Sequence, residues 1–173
     1  APPIDFPPAA RRVLVSVGTH LLWAKKTLVA DVVELAKSFP GVEFAISLGG
    51  LNEPGQGPAP NVTVYPFVPY DRDLAKFDAV IHHGGAGVTY AAILNKVPAV
   101  VVPHDYDQFD YAARIEHYQL GHRAPSIAGA APALRQVLET ANWPELARIS
   151  TAARAYRPDE RFLEAVQNTI GPA

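Results

Sequence analysis

Cysteine and methionine are both absent from the 173 residues. The first absence excludes a disulfide framework, thiol nucleophiles and cysteine-ligated zinc or iron–sulfur centres. The second extends to position 1. With the proline-rich opening Ala1-Pro2-Pro3-Ile4-Asp5-Phe6-Pro7-Pro8, it leads to the expectation of a domain taken from a longer protein. Residues 1–12 then read as an interdomain linker remnant and 13–173 as the folded domain. A surplus of one charge is also missing: 15 Lys and Arg face 17 Asp and Glu, for a formal charge of -2. Neither nucleic acid nor an anionic membrane is an expected partner, so any bound phosphate must be held by local geometry. Long apolar runs are lacking as well. A stretch such as Val97-Pro98-Ala99-Val100-Val101-Val102-Pro103 is far too short to cross a bilayer, and no segment has the pattern of a secretory signal. A cytoplasmic location is expected. With 49% hydrophobic and 18% charged residues, the chain suffices for one well-buried domain.

Apolar strand-like runs alternate with helical periodicity. Val13 to Val17 is a branched run suited to a strand buried on both faces, and it ends at Gly18-Thr19. Ala24 to Phe39 carries Leu28, Val32, Leu35, Ala36 and Phe39 at helical spacing, stopped by Pro40-Gly41. Further strands are expected at Val42 to Leu48, Val62 to Tyr65, Ala79 to His82 and Ala99 to Val102, with Gly49 to Pro60 as an exposed loop. A helix is expected from about Val88 to Asn95, and from Gln108 onward the pattern is mostly helical. The expected fold is α/β, a Rossmann-like doubly wound parallel sheet with a helical C-terminal tail.

Ligands of such sheets bind at the carboxyl ends of the strands, which directs attention to four loops. In His82-His83-Gly84-Gly85-Ala86-Gly87-Val88-Thr89 a strand ends, glycines permit close approach, and a helix start presents unpaired N–H groups with positive partial charge. That is a seat for a diphosphate, and His83 at its mouth can donate a hydrogen bond without being charged. A tight strand-to-helix turn requiring only backbone freedom would be written similarly. In Pro103-His104-Asp105-Tyr106-Asp107-Gln108, the carboxylate of Asp107 and the carboxamide of Gln108 offer the donor and acceptor mixture that sugar hydroxyls need. Asp107 as a helix N-cap explains the same residues. Phe67 offers a flat face for a nucleobase, although a loop phenylalanine also serves as core. Ser16, Gly18, Thr19 and His20 end the first strand, where a small turn can contact phosphate or an acceptor from another domain, although strand-end packing explains Ser16 and Gly18 equally well.

Several chemistries are disfavoured by spacing. The glycine turn is neither the Gly-Lys-Ser/Thr phosphate loop nor the dinucleotide fingerprint. Ser16 lacks the first glycine of a nucleophile elbow. Adjacent His82 and His83 point to opposite faces of a strand and are poorly placed to share a metal, so no metal or other cofactor is expected.

In order along the chain, Ser16-Val17-Gly18-Thr19, Phe67-Val68-Pro69-Tyr70, His83-Gly84-Gly85-Ala86-Gly87 and Asp107-Gln108 resemble the C-terminal, donor-binding domain of GT-B glycosyltransferases. The resemblance is to the UDP-glycosyltransferase superfamily, and within it to bacterial natural-product members. It implies one half of a GT-B fold and a hexosyltransferase acting with inversion on a UDP- or dTDP-sugar. Phe67 would stack on the base and Val68 would offer its backbone to the base edge. His83, with the N–H groups around Gly85, Ala86, Gly87 and Val88, would hold the diphosphate, approached also by Ser16, Gly18 and Thr19. Asp107 and Gln108 would hold the sugar. Val88 stands where many members carry a hydroxyl, for which Thr89 can compensate. Ala91 replaces a ribose-binding glutamate frequent in plant and animal members, leaving the base open. The general base is implied on a preceding N-terminal acceptor domain, and His20 is not assigned that role. Three other readings stay open: the donor subunit of a split glycosyltransferase, a GT-B epimerase, and a non-catalytic nucleotide-sugar binding module.

Overall fold

The computed structural model describes residues 11–19, 21, 23–50, 55–56 and 59–170. The linker expectation for residues 1–10 and the placement of His20 therefore lie outside the described residues. Arg11 and Arg12 do not belong to a linker: they open the first strand, β1 (Arg11–Ser16), pairing with Val42 and Glu43. The chain continues through α1 (Lys25–Ala36), β2 (Val42–Ser47), β3 (Gly55–Gln56), β4 (Val62–Tyr65), α2 (Tyr70–Asp73), a short 3-10 turn (Leu74–Lys76), β5 (Ala79–His82), α3 (Ala86–Asn95), β6 (Ala99–Val101), α4 (Gln108–His117), β7 (Gly121–Arg123), α5 (Ala131–Glu139), α6 (Pro144–Ala155) and α7 (Pro158–Ile170).

The sheet order is β3-β4-β2-β1-β5-β6-β7, with six parallel strands and β3 antiparallel at one edge. Two strands differ from the sequence expectation. Gly55–Gln56 forms a bridge within what reads as a glycine- and proline-rich loop, pairing with Thr63 and Val64. Gly121–Arg123 lies in the stretch expected to be helical, and the exposed edge of β6 recruits it in register with Ala99 to Val101. Neither segment has an apolar run, so pairing with an existing edge decides both. The helix after the glycine turn begins at Ala86, two residues earlier than the apolar pattern indicates.

Val13, Leu14 and Val15 are fully buried because β1 is covered on both faces. On one side Val13, Val15, Phe44, Ile46 and Ile81 pack against Leu28, Val32 and Leu35 of α1 and Leu134 of α5. On the other, Leu14, Val80 and Val101 meet Val88 and Ala92 of α3, Ala112 and Ile115 of α4, and Leu146 of α6. The buried Asp73 carboxylate is bound by Arg72 and Lys76; the hydrogen bond from Arg72 foremost holds its pKa below the ordinary value. From β1 the chain builds outward through β2 and β4, then crosses to β5 on the opposite side of β1. The β1/β5 boundary is therefore the topological switch point, and a crevice opens where the flanking loops part.

Candidate functional site: two clefts beside one helix start

At that crevice, β2, β1 and β5 end in a polar row: Ser47 is in register with Ser16, and Ser16 with His82. The Ser16 hydroxyl hydrogen-bonds with the Tyr70 hydroxyl at 2.9 Å and accepts the Gly18 N–H at 3.3 Å. Burial raises the Tyr70 pKa, only partly countered by the bond to Ser16. The Ser47 hydroxyl accepts the Val68 N–H at 3.2 Å. Val68 is buried, so the base-edge role expected of its backbone narrows to its carbonyl. Phe67, 48% exposed, turns into the open crevice.

His82 is 1% exposed and its Nδ1 accepts the Gly84 N–H at 3.0 Å, which braces the glycine turn from below. Burial, with the neighbouring His83 adding a smaller effect, lowers its pKa to about 3, so the ring is neutral with its proton on Nε2. The two histidines thus divide the work. His82 supports the turn, while the His83 ring lies between Gly18 and Gly85, and a Cβ on Gly18 would come within 2.6 Å of its Cε1. Gly18 also has φ +71°, so both space and backbone require glycine there. Gly85 is the N-cap of α3 and adopts extended backbone, leaving the first N–H groups of the helix directed outward.

The resulting cleft, of about 360 Å³, is lined by Ser16, Gly18, Thr19, Ser47, Gly49, Phe67, Tyr70, His83, Gly85, Ala86, Gly87 and Val88. Nine of the thirteen residues singled out from sequence line it. Ser47 and Gly49 had no motif to single them out and arrive through strand register, while Tyr70, which closes the Phe67-Val68-Pro69-Tyr70 stretch without an assigned contact, joins them through its bond to Ser16. Val68 and Gln108 are buried beside the clefts, and Thr89 and Asp107 belong to a second cleft.

That second cleft, about 610 Å³, runs along the groove between α3, α4 and α6. Tyr90, Tyr111, Tyr118 and Ile93 supply its walls; Asp107 and Thr89 stand at the end nearer the glycine turn. Thr89 therefore faces away from the His83 cleft and does not replace a hydroxyl at Val88. Asp107 occupies the N-cap position of α4 but makes no capping hydrogen bond, so the capping explanation of this residue fails. Gln108 departs from expectation as well. Its Oε1 accepts the N–H groups of His104 and Asp105 at 2.9 and 3.1 Å, bracing the loop before α4 and leaving only its amide nitrogen for a ligand. The same loop is tied to the one after β1 by the edge-on contact of Trp23 with His104, ring centroids 5.2 Å apart. Burial lowers the His104 pKa. Among the described residues, no group of three or more His, Asp or Glu side chains is placed to hold a metal ion.

A parallel sheet with a glycine-floored cleft at its switch point defines a Rossmann-like domain. Comparison with solved structures assigns it to the GT-B architecture: the glycotransferase of kitacinnamycin superposes on 97% of this chain and 45% of that one, with TM-score 0.80 and 23% identity. The spinosyn rhamnosyltransferase SpnG complexed with thymidine diphosphate matches 88% of this chain and 45% of its own, with TM-score 0.67 and 24% identity. Residues 44–158 match the family of erythromycin biosynthesis protein CIII-like C-terminal domains, and the chain belongs to that family. The L-demethylnoviosyl transferase of Streptomyces niveus is 33% identical over 128 residues, 69% of this chain and 32% of that protein. The chain thus spans about a third of that relative and under half of the solved structures. No helix among the described residues is long and apolar enough to cross a membrane.

Proposed function

We propose that this chain is the donor-binding half of an inverting glycosyltransferase that moves a hexosyl group from a UDP- or dTDP-sugar to an acceptor hydroxyl. The observation that carries the reading is the convergence of the α3 N-terminus, the Gly18 and Gly85 backbones and the His83 ring on one cleft at the switch point. Such a convergence suits a diphosphate, because helix-end N–H groups and a neutral imidazole donate hydrogen bonds where negative charge accumulates. Phe67 at the rim suits the base. Asp107, at the N-cap of α4 in the cleft beside Thr89, suits the sugar hydroxyls. Family membership supports sugar transfer, and the thymidine diphosphate held by the spinosyn enzyme supports a donor of that class.

In the transfer, the acceptor oxygen bonds to the anomeric carbon as the bond from that carbon to the diphosphate oxygen breaks. The acceptor proton passes to a base on the half of the enzyme that lies outside this chain. The diphosphate leaves with added negative charge, and His83 and the α3 N–H groups act by stabilising that charge more in the transition state than in the bound donor. On this reading those groups suffice and no metal is needed.

A thermal-shift and calorimetric panel of UDP, dTDP, GDP, their sugars and the free nucleosides tests the reading. A shift with UDP or dTDP that is much smaller with the nucleoside supports donor binding, and no turnover is expected from the chain alone. An absence of any nucleotide effect would favour a scaffold and overturn it.

A further inference from the structure

Lys25 is one of two adjacent lysines in the first turn of α1, and the two have opposite fates. Lys26 is exposed, whereas Lys25 is only 9% exposed and faces the sheet. This is an unfavourable place for a cation. Burial strips its water, and the start of α1 already carries the positive end of the helix dipole, with no acidic residue in that turn to offset it. Burial accordingly lowers the Lys25 pKa. None of the ion pairs among the described residues involves it.

Its position gives the cost a use. The Lys25 Nζ lies 3.1 Å from where a Cβ of Gly49 would stand, and the Gly18 carbonyl oxygen is 2.6 Å from that same point. Gly49 and Gly18 both line the glycine cleft, and Gly18 in turn abuts the His83 ring. Lys25, Gly49, Gly18, His83 and Gly85 therefore follow one another across the floor of the cleft. A cation stands at one end, the α3 N-terminus at the other, and glycine backbone lies between. At φ +64°, Gly49 admits no larger side chain without strain, so the short path between the ammonium and the cleft is maintained.

We propose that Lys25 is a positioning residue which, through the Gly49–Gly18 floor, supplies the fixed positive charge that favours a diphosphate over less charged ligands in the glycine cleft. The inference rests on the donor-binding reading above. In a near-neutral chain, a single partly desolvated cation exerts more field in such a crevice than a surface lysine does in water. The ammonium also stabilises the negative charge that grows on the departing diphosphate, so it favours product-like charge over the intact donor.

The test compares wild type, Lys25→Met and Lys25→Arg of the full 173-residue chain by calorimetry with the mono- and diphosphates of uridine and deoxythymidine. Methionine keeps the apolar stem and removes the charge. The expected result is a loss of about tenfold in diphosphate affinity, a much smaller loss for the monophosphate, and recovery of most of it in Lys25→Arg. Lys25→Met should also melt at the same temperature as wild type or higher, because a buried cation at a helix start is removed. A role limited to packing would change the two nucleotides equally or lower the melting temperature, and either outcome overturns the proposal. Wild-type binding with an unaffected Lys25→Met overturns Lys25 alone. A wild type that binds none of these nucleotides overturns both Lys25 and the donor reading.

Discussion

The two clefts on either side of the first turn of α3 are built from different materials. The switch-point cleft is largely main chain, with Gly18, Gly49, Gly85 and Gly87 along its floor and His83 as its principal polar side chain. The α3–α4–α6 cleft is almost entirely side chain: three tyrosines, isoleucines, and Asp107 at one end, with Arg114 and Arg148 already paired to Asp110 and Glu145. Its Tyr111 pKa is raised by burial and by its Tyr90 and Asp107 neighbours. Recognition by backbone is damaged by adding atoms, whereas recognition by side chains is damaged by removing them. Substitutions at the two sites should therefore fail in opposite ways.

The largest expected effect is on stability in acid. His82, held neutral beneath the glycine turn, has a folded pKa of about 3 against an ordinary 6.5. Between those values the unfolded chain binds the extra proton, so stability present above pH 6.5 is lost as pH falls toward 3, on the order of 5 kcal/mol from this group. Urea unfolding at pH 7, 5.5 and 4, with NMR of the imidazole signals, checks it. A His82 signal titrating near pH 6.5 in the native state would remove this support for the glycine cleft.

Next in size is Gly85→Val. Its side chain meets the His83 ring, whose Cε1 lies within 2.9 Å of the new Cβ, and should cut diphosphate affinity by about 2–3 kcal/mol. Retained binding of UDP or dTDP would place the ligand elsewhere. His83→Ala removes one hydrogen bond to a charged group. A loss of about 1–3 kcal/mol with little change in melting is expected, and unchanged calorimetric affinity for both nucleotides would take His83 out of the site. The smallest effect belongs to the other cleft. Asp107→Asn should leave UDP and dTDP binding alone and weaken their sugar conjugates by about 1 kcal/mol. Equal weakening of nucleotide and conjugate would contradict a division between phosphate and sugar sides.

The parts visible in the chain were those with strong local signals. Val13 to Val15 and Val80 to Ile81 announce buried strands because both faces of the sheet demand apolar residues. His83-Gly84-Gly85-Ala86-Gly87 announces the turn because few residue types tolerate such close approach. The missed pieces lack a local signal. Gly55–Gln56 and Gly121–Arg123 become strands only because an edge is available to pair with. Gln108 reads as a sugar contact until the loop before it turns back on its Oε1.

By itself, then, the sequence determined the alternating α/β layout, the glycine turn with His83, and family membership, since these depend on residue types at short spacing. Tertiary structure alone decided that Asp107 and His83 sit in different clefts, that Val68 gives its N–H to Ser47, and that Lys25 rather than Lys26 lies under the floor. The physical reason is the same in each case. Strand register and helix rotation bring together residues tens of positions apart, and burial then sets which polar atoms remain available to a ligand.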